Sequence, residues 1–354
     1  MGRLRIAQFA PLWLPVPPVR YGGTERVVHA LTEELVRRGH EVTLFAAGGS
    51  RTSARLRQGS DRPLWELPSD SHLALQVLQL EDLARAADAF DVVHCHMEML
   101  PWLLGERVGA PLITTLHGRL DLPHQRPLFA AFDDRPLVSI SDAQRAPLRD
   151  LHLNWVATVH HGLELGSSFS LGRGDGGYVL FLGRIAPEKD PATAIRVAIR
   201  AGVRLRIAAR VDPADEDYFR RAVAPYLDHP LVEWVGEVGH PEKARLLAGA
   251  RALLLPIDWP EPFGLVFIEA LACGTPVIAR RRGSLPEIVR HGLDGWLAET
   301  DDEMVEAIAA APTLDRAACR EYALARFGVE RMASDYEHLY RRAVAGTELT
   351  LAAS

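Results

Sequence analysis

Lysine is almost missing from this chain: there are two, Lys189 and Lys243, and arginine serves nearly everywhere else a cation is needed. Cysteine is nearly as scarce. Cys95, Cys273 and Cys319 are odd in number and lie in apolar or helical contexts, which argues against a disulfide framework and for reduced core thiols. Neither charge sign dominates: the net charge is −6 and the pI about 6.2, so no basic field invites nucleic acid. No apolar run approaches the roughly 18 residues of a membrane span. The chain enters its first strand at residues 4–9 without a signal-peptide pattern, so a soluble cytoplasmic protein is expected. Also missing are G-x-G-x-x-G after a first strand, the G-x-S-x-G elbow and the Walker loop. Their absence argues against a nicotinamide dehydrogenase, an elbow-type hydrolase and a P-loop enzyme.

At 354 residues, 48% of them hydrophobic, the chain is long for one α/β domain and suits two of about 170. Strand and helix signals alternate, as they do in parallel sheets covered by helices. In the first half the pattern predicts strands at 4–9, 41–46, 91–95, 111–116, 136–140 and 155–160, with helices at 24–38, 71–89, 98–107 and 142–150. In the second half, strands at 178–182, 204–209, 231–236, 252–256 and 276–279 alternate with helices at 190–201, 214–226, 241–250, 264–273 and 284–290. Beyond 300 the pattern is helical only. Residues 161–177, HGLELGSSFSLGRGDGG, show no apolar period and read as the interdomain linker. The expected fold class is α/β: two doubly wound Rossmann-like domains, 1–165 and 166–328, facing across a cleft. A final segment, 329–354, carries Met332, Tyr336, Leu339 and Tyr340 on one helical stripe that packs on a domain face.

The most informative stretch is EPFGLVFIEALACGTPVI at 261–278. Pro262 and Gly264 disfavour a helix before Leu265, so Glu261 lies on a loop and Glu269 about one and a half turns inside the following helix. Glu269 is surrounded by apolar neighbours, and a carboxylate there costs several kcal/mol, on the order of the desolvation penalty, unless something bonds it. A second element, Gly183-Arg184-Ile185-Ala186-Pro187-Glu188-Lys189, leaves a buried strand where open α/β sheets bind ligands. Arg184 offers a planar fork and Lys189 a point charge, a workable pair for a diphosphate.

Other elements gather at strand ends. Gly22-Gly23 opens a helix at Thr24-Glu25, letting backbone amides approach an anion or a sugar. Trp13 and Tyr21, on the proline-rich loop before it, offer an apolar platform for a second substrate or simply pack the loop. His117-Gly118 follows a strand and faces the expected cleft. His94, His96 and Glu98 tempt a metal assignment, but no further ligand cluster accompanies them. His160-His161 reads as hinge structure, and Gly283-Ser284 as a glycine-led helix start opening on the same cleft. Arg210, after the strand at 204–209, either stacks on a planar ligand group or lies on the surface.

YGGTE, GRIAPEK and EPFGLVFIEALACGTPVIA, in this order, resemble the retaining family 4 glycosyltransferases of the GT-B fold. The resemblance runs from the first strand to about Leu297 and implies final helices that cross back onto the N-terminal domain. It implies a nucleotide-sugar donor on the C-terminal domain, an acceptor (small molecule, glycan or lipid-linked) on the N-terminal one, and no metal or cofactor. Arg184 and Lys189 would neutralise the diphosphate, Glu269 would hold the ribose and Glu261 a hydroxyl of the transferred sugar. The amides of Gly264 and Leu265 would meet phosphate or sugar, Gly23 would let its loop close, and His117 would contact the sugar. Gly22, Gly183, Arg210 and Phe263 complete the implied donor site. PLWLPVPPVRYGGTERVV and LLPIDWPEPFGL look like a bacterial UDP-glucose-dependent branch, with GDP-mannose as the alternative donor. Competing readings are a phosphorylase or epimerase of the same fold, or a silent nucleotide-sugar-binding module. Intact Arg184, Lys189, Glu261, Glu269 and His117 argue against decay.

Overall fold

The computed structural model describes residues 2–20 and 22–346, and the chain divides into two compact units. Residues up to Leu163 and the segment from Val329 form the first; Glu164–Gly328 form the second. No helix among the described residues is long and apolar enough to cross a membrane.

The first unit is built on β1 (Arg5–Phe9), β2 (Glu41–Ala46), β3 (Arg55–Gln58), β4 (Val92–Cys95), β5 (Leu112–Thr115), β6 (Leu137–Ser139) and β7 (Trp155–Thr158). All pair in parallel, in the order β3-β2-β1-β4-β5-β6-β7. The central strands are buried on both faces, which is why they read as nearly continuous apolar runs. Helix α1 (Gly23–Arg37) buries Val27, Val28, Leu31 and Leu35 at helical spacing, and α2 (His72–Ala86) and α3 (Arg126–Ala131) complete the layers before the C-terminal segment.

The second unit begins with α4 (Leu165–Ser168) and continues β8 (Tyr178–Ile185), α5 (Pro191–Arg200), β9 (Arg204–Val211), α6 (Glu216–Ala222), β10 (Val232–Trp234) and α7 (His240–Gly249). It then runs β11 (Leu253–Leu255), α8 (Leu265–Ala272), β12 (Val277–Arg280), α9 (Leu285–Ile288), β13 (Gly295–Ala298), α10 (Asp301–Ala310) and α11 (Arg316–Phe327). Its parallel sheet has the order β10-β9-β8-β11-β12-β13. In both sheets the strand order reverses beside the first strand: between β1 and β4, and between β8 and β11. Ligands of doubly wound sheets bind outside the C-terminal strand ends at such a reversal.

The last helix, α12 (Val329–Val344), belongs to the first unit. It buries the expected stripe of Met332, Tyr336, Leu339 and Tyr340. Tyr340 reaches Gln8 on β1 and His94 on β4, and Tyr336 reaches Thr115 on β5.

Four local expectations need correction. Edge strands β3 and β13 carry no strong signal, because RLRQ is mostly polar and GWLA short and glycine-led. The helices expected at 98–107 and 142–150 are 3₁₀ turns, interrupted by Gly105 at φ 52° and by Pro147. The helix expected at 214–226 stops at Ala222, one residue before a turn that contains Pro225. The segment 161–177 is not a loose tether. Its Leu163, Leu165 and Phe169 are buried, Arg320 donates to the carbonyls of Gly166 and Phe169, and a Cβ on Gly172 would lie 2.0 Å from the Ala248 carbonyl oxygen. Gly172, Gly174 and Gly176 are there for close approach rather than for slack.

Candidate active site

In the second unit, two segments leave adjacent strands at the reversal point. One follows β8 and carries Glu188 and Lys189; the other follows β11 and carries Asp258, Trp259 and Glu261. The Asp258 amide donates to the Glu188 carbonyl at 3.1 Å, tying the segments together. Gly283 braces the second. With φ 54° it sits where a Cβ would come within 2.5 Å of the Glu261 backbone, and the neighbouring Ser284 amide donates to the Glu261 carbonyl. Gly264 then turns the chain at φ 83° and α8 begins, with Glu269 in its buried face.

Within this frame the chain's two lysines are matched to the two glutamates of EPFGLVFIE. Lys189 Nζ bonds the Glu261 carboxylate, which also accepts the Trp259 indole N–H at 3.0 Å. Lys243, from α7, places Nζ 2.7 Å from Glu269 Oε1, with 15% and 3% of the two side chains exposed. The expected cost of burying Glu269 is thus met inside the protein, by a cation. The composition held a signal for Lys243, since it is the other of the two lysines, but no periodicity points from α7 to α8.

Arg184 and Lys189, expected to converge on one diphosphate, each meet carboxylates of this chain. Strand β8 runs on to Ile185, so Arg184 lies within it. Its guanidinium faces Glu188 at 2.9 Å, Asp212 at 3.3 Å and Asp215 at 3.6 Å. Arg210 shares Asp212, at 2.9 Å, so a carboxylate holds it beside Arg184. A Cβ on Gly183 would meet nothing closer than 4.0 Å, so packing within the unit does not demand glycine there. Phe263 is a core anchor: its ring packs edge-on to Phe327 and its carbonyl accepts the Ser284 hydroxyl. The residue is 2% exposed, so it positions the loop by packing. Leu265 is the first residue of α8.

In the first unit the ends of β1, β4 and β5 frame a cavity of about 610 Å³. Pro11, His96, Glu98, His117 and Gly118 reach it from those strand ends, and Thr24 from the first turn of α1. Gly22 has φ 150°, and a Cβ on it would come within 2.8 Å of Pro18. It caps α1, and Gly23 is the first helical residue. Trp13 is half exposed and meets the His72 ring edge-on; Tyr21 lies outside the described residues.

His94 and His96 belong to a buried hydrogen-bond chain, and among the described residues no group of three or more ligating side chains could hold a metal. Gln8 donates to the Tyr340 hydroxyl and accepts from His96 Nε2, which makes His96 Nδ1 the acceptor of His117 Nε2–H at 2.9 Å. Tyr340 in turn donates to His94 Nδ1, and His94 Nε2–H donates to Thr115, which faces Tyr336. Every ring is neutral in this scheme. Burial agrees: it lowers His94, His96 and His161 well below the usual histidine value, and His117 to about 3. His161 stacks on His117 and so joins this core, two residues before the boundary between the units. The Glu98 carboxyl, raised by burial, accepts the amides of Gly118 and His117 and so fixes the turn after β5.

Comparison with known proteins agrees with this architecture. The family model "Glycosyltransferase Family 4" matches residues 21–167, and "Glycosyl transferases group 1" matches 167–326. The chain is 27% identical to the D-inositol 3-phosphate glycosyltransferase of Mycolicibacterium paratuberculosis, over 91% of this chain and 86% of that protein. The solved structure of AviGT4, a glycosyltransferase involved in avilamycin A biosynthesis, superposes with a TM-score of 0.70 at 25% identity, covering 97% of this chain and 98% of that one. Anabaena HepE in complex with UDP-glucose superposes at 0.73 with 15% identity, over 96% and 100%. The chain belongs to the family 4 glycosyltransferases of the GT-B fold and is an enzyme that transfers glycosyl groups.

Proposed function

We propose that this enzyme transfers glucose from UDP-glucose to an acceptor hydroxyl, with retention of anomeric configuration and without a metal ion. The observation that carries the donor assignment is the Lys189–Glu261 pair beside Trp259, at the sheet reversal of the second unit. A diphosphate arriving there competes with Glu261 for the Lys189 ammonium. The carboxylate it displaces becomes an acceptor for a sugar hydroxyl. Glu269, held by Lys243, is the assigned ribose contact. Arg184 supports the diphosphate less directly, because three carboxylates already surround it. The UDP-glucose preference draws on the resemblance of YGGTERVV and LLPIDWPEPFGL to a UDP-glucose-dependent branch.

In the reaction the anomeric C–O bond to the β-phosphate breaks, and its electron pair stays on the phosphate oxygen. The acceptor oxygen bonds the anomeric carbon from the same face, and its proton passes to the departing phosphate. Lys189 holds the bound diphosphate and stabilises it more strongly as charge develops on the departing phosphate, so its removal weakens donor binding and costs the transition state roughly 3–4 kcal/mol, as for loss of one oxyanion donor. His117 is too weak a base to take the proton, with its ring lowered to about 3. The test is a thermal-shift panel of UDP- and GDP-sugars, GDP-mannose included. A donor at 100 times its dissociation constant stabilises by about 2.7 kcal/mol. Lys189→Ala is expected to abolish the UDP-glucose shift. Normal UDP-glucose binding by that variant refutes the diphosphate assignment, and a glycosyl adduct trapped on Glu261 refutes the front-face step.

A further inference from the structure

The cavity of the first unit has a chemical character that the transferase reading does not require. Its walls are formed by Met97, Met99, Leu100, Leu103, Leu128 and Phe132. Leu103 and Leu128, 67% and 40% exposed, are large apolar side chains left open at it. Among the described residues that line it there is no lysine and no arginine. Its titratable groups are Glu98, His96 and His117, and burial keeps both imidazoles neutral. No cationic side chain in the lining therefore offsets the charge of a phosphate, and the first turn of α1 at Thr24 brings only backbone amides to it.

The wall is also built under strain. Met99 has φ 67° and ψ −53°, and the Leu100 amide donates to the Glu98 carbonyl at 2.8 Å across it. This is a γ-turn of the rare positive-φ form, in a residue with a Cβ. Backbone strain of this kind gathers at ligand sites. Here it lies between the half-buried Glu98 carboxyl, where the polar groups of the cavity begin, and the apolar wall from Leu100 onward. Met97 and Met99 add unbranched, polarizable side chains that adapt to varied ligand shapes.

We propose that the acceptor is an uncharged alcohol with an extended apolar body, seated in this cavity with its hydroxyl at the Glu98–Gly118 end and its body along Met99, Leu100, Leu103, Leu128 and Phe132. The proposal rests on the reading that the first unit holds the acceptor. It separates this chain from a transferase whose acceptor is a phosphorylated polyol.

The test uses the full chain and n-alkyl β-D-glucosides of increasing chain length, below micelle-forming concentrations, against free glucose and D-inositol 3-phosphate. Binding is read by calorimetry without donor, and turnover by UDP release with UDP-glucose. Affinity is expected to rise about two- to fourfold per methylene until the chain outgrows the cavity. Free glucose and D-inositol 3-phosphate are expected to bind at least tenfold more weakly than the best alkyl glucoside. Leu103→Asp and Leu128→Asp, at exposed positions where folding is not at stake, are expected to flatten the ladder. A flat ladder in the unaltered chain, a ladder unchanged in both variants, or D-inositol 3-phosphate binding as tightly as the long glucosides overturns the proposal. The two readings fail differently. Loss of the donor reading appears as no UDP-glucose shift with the ladder intact; loss of this one appears as a normal UDP-glucose shift with a flat ladder.

Discussion

Lys243→Met isolates the buried ion pair on which α8 is built. Lys243 Nζ and Glu269 Oε1 are 2.7 Å apart, with 15% and 3% of their side chains exposed. At an effective dielectric near 20 the Coulomb attraction at that distance is about 6 kcal/mol, much of it offset by the cost of desolvating both ions. Removing the cation alone leaves the Glu269 charge among Phe267, Ile268 and Leu271 without its ammonium, a loss of roughly 3–5 kcal/mol. Methionine keeps the apolar reach of the lysine stem, so the loss reports charge rather than packing. For a unit the size of Glu164–Gly328, each kcal/mol moves Tm by about 2–4 °C, so the drop is roughly 6–20 °C by scanning calorimetry. The double variant Lys243→Met/Glu269→Leu removes both charges and is expected to recover most of that drop. It is not expected to recover UDP-glucose binding, because the assigned ribose contact is gone. An unchanged Tm in the single variant, or a double variant as unstable as the single, refutes the account of Glu269 as an ion-paired core carboxylate.

Three further outcomes follow from the same geometry. Gly283→Ala places a Cβ about 2.5 Å from the Glu261 backbone at φ 54°, and should cost about 2–4 kcal/mol and weaken UDP-glucose binding by moving Glu261, measured by melting and titration. Tyr340→Phe removes the hydroxyl shared by Gln8 and His94, leaving two buried polar atoms unpaired at about 1–3 kcal/mol each; urea unfolding should show a lower midpoint at unchanged slope. Burial raises Glu25 from 4.5 to about 7, so the folded state keeps a proton that the unfolded chain has lost. Its contribution is fully present below about pH 4.5 and is lost as pH rises through about 7, roughly 3 kcal/mol at most. Glu25→Gln should therefore match the unaltered chain near pH 4.5 and exceed it in stability at pH 8; equal stability at both refutes the assignment.

The sequence by itself determined the alternation of strands and helices, because central parallel strands are buried on both faces and leave near-continuous apolar runs such as YVLFL. It also determined where α8 begins, since Pro262 and Gly264 act within a few residues of themselves, and the stripe on α12, since helical spacing is local. Edge strands β3 and β13 escaped it, because one face of an edge strand need not be apolar. Only the tertiary structure decided which charge meets which. The partners of Glu261 and Glu269 lie 72 and 26 residues away, on elements brought together by the order of strands in the sheet. It also decided that His94 and His96 are core hydrogen-bond partners rather than metal ligands, because Tyr336 and Tyr340 return to them from the far end of the chain. Apolar periodicity is written in neighbouring residues, whereas the matching of buried charges depends on distance in space, which no local pattern carries.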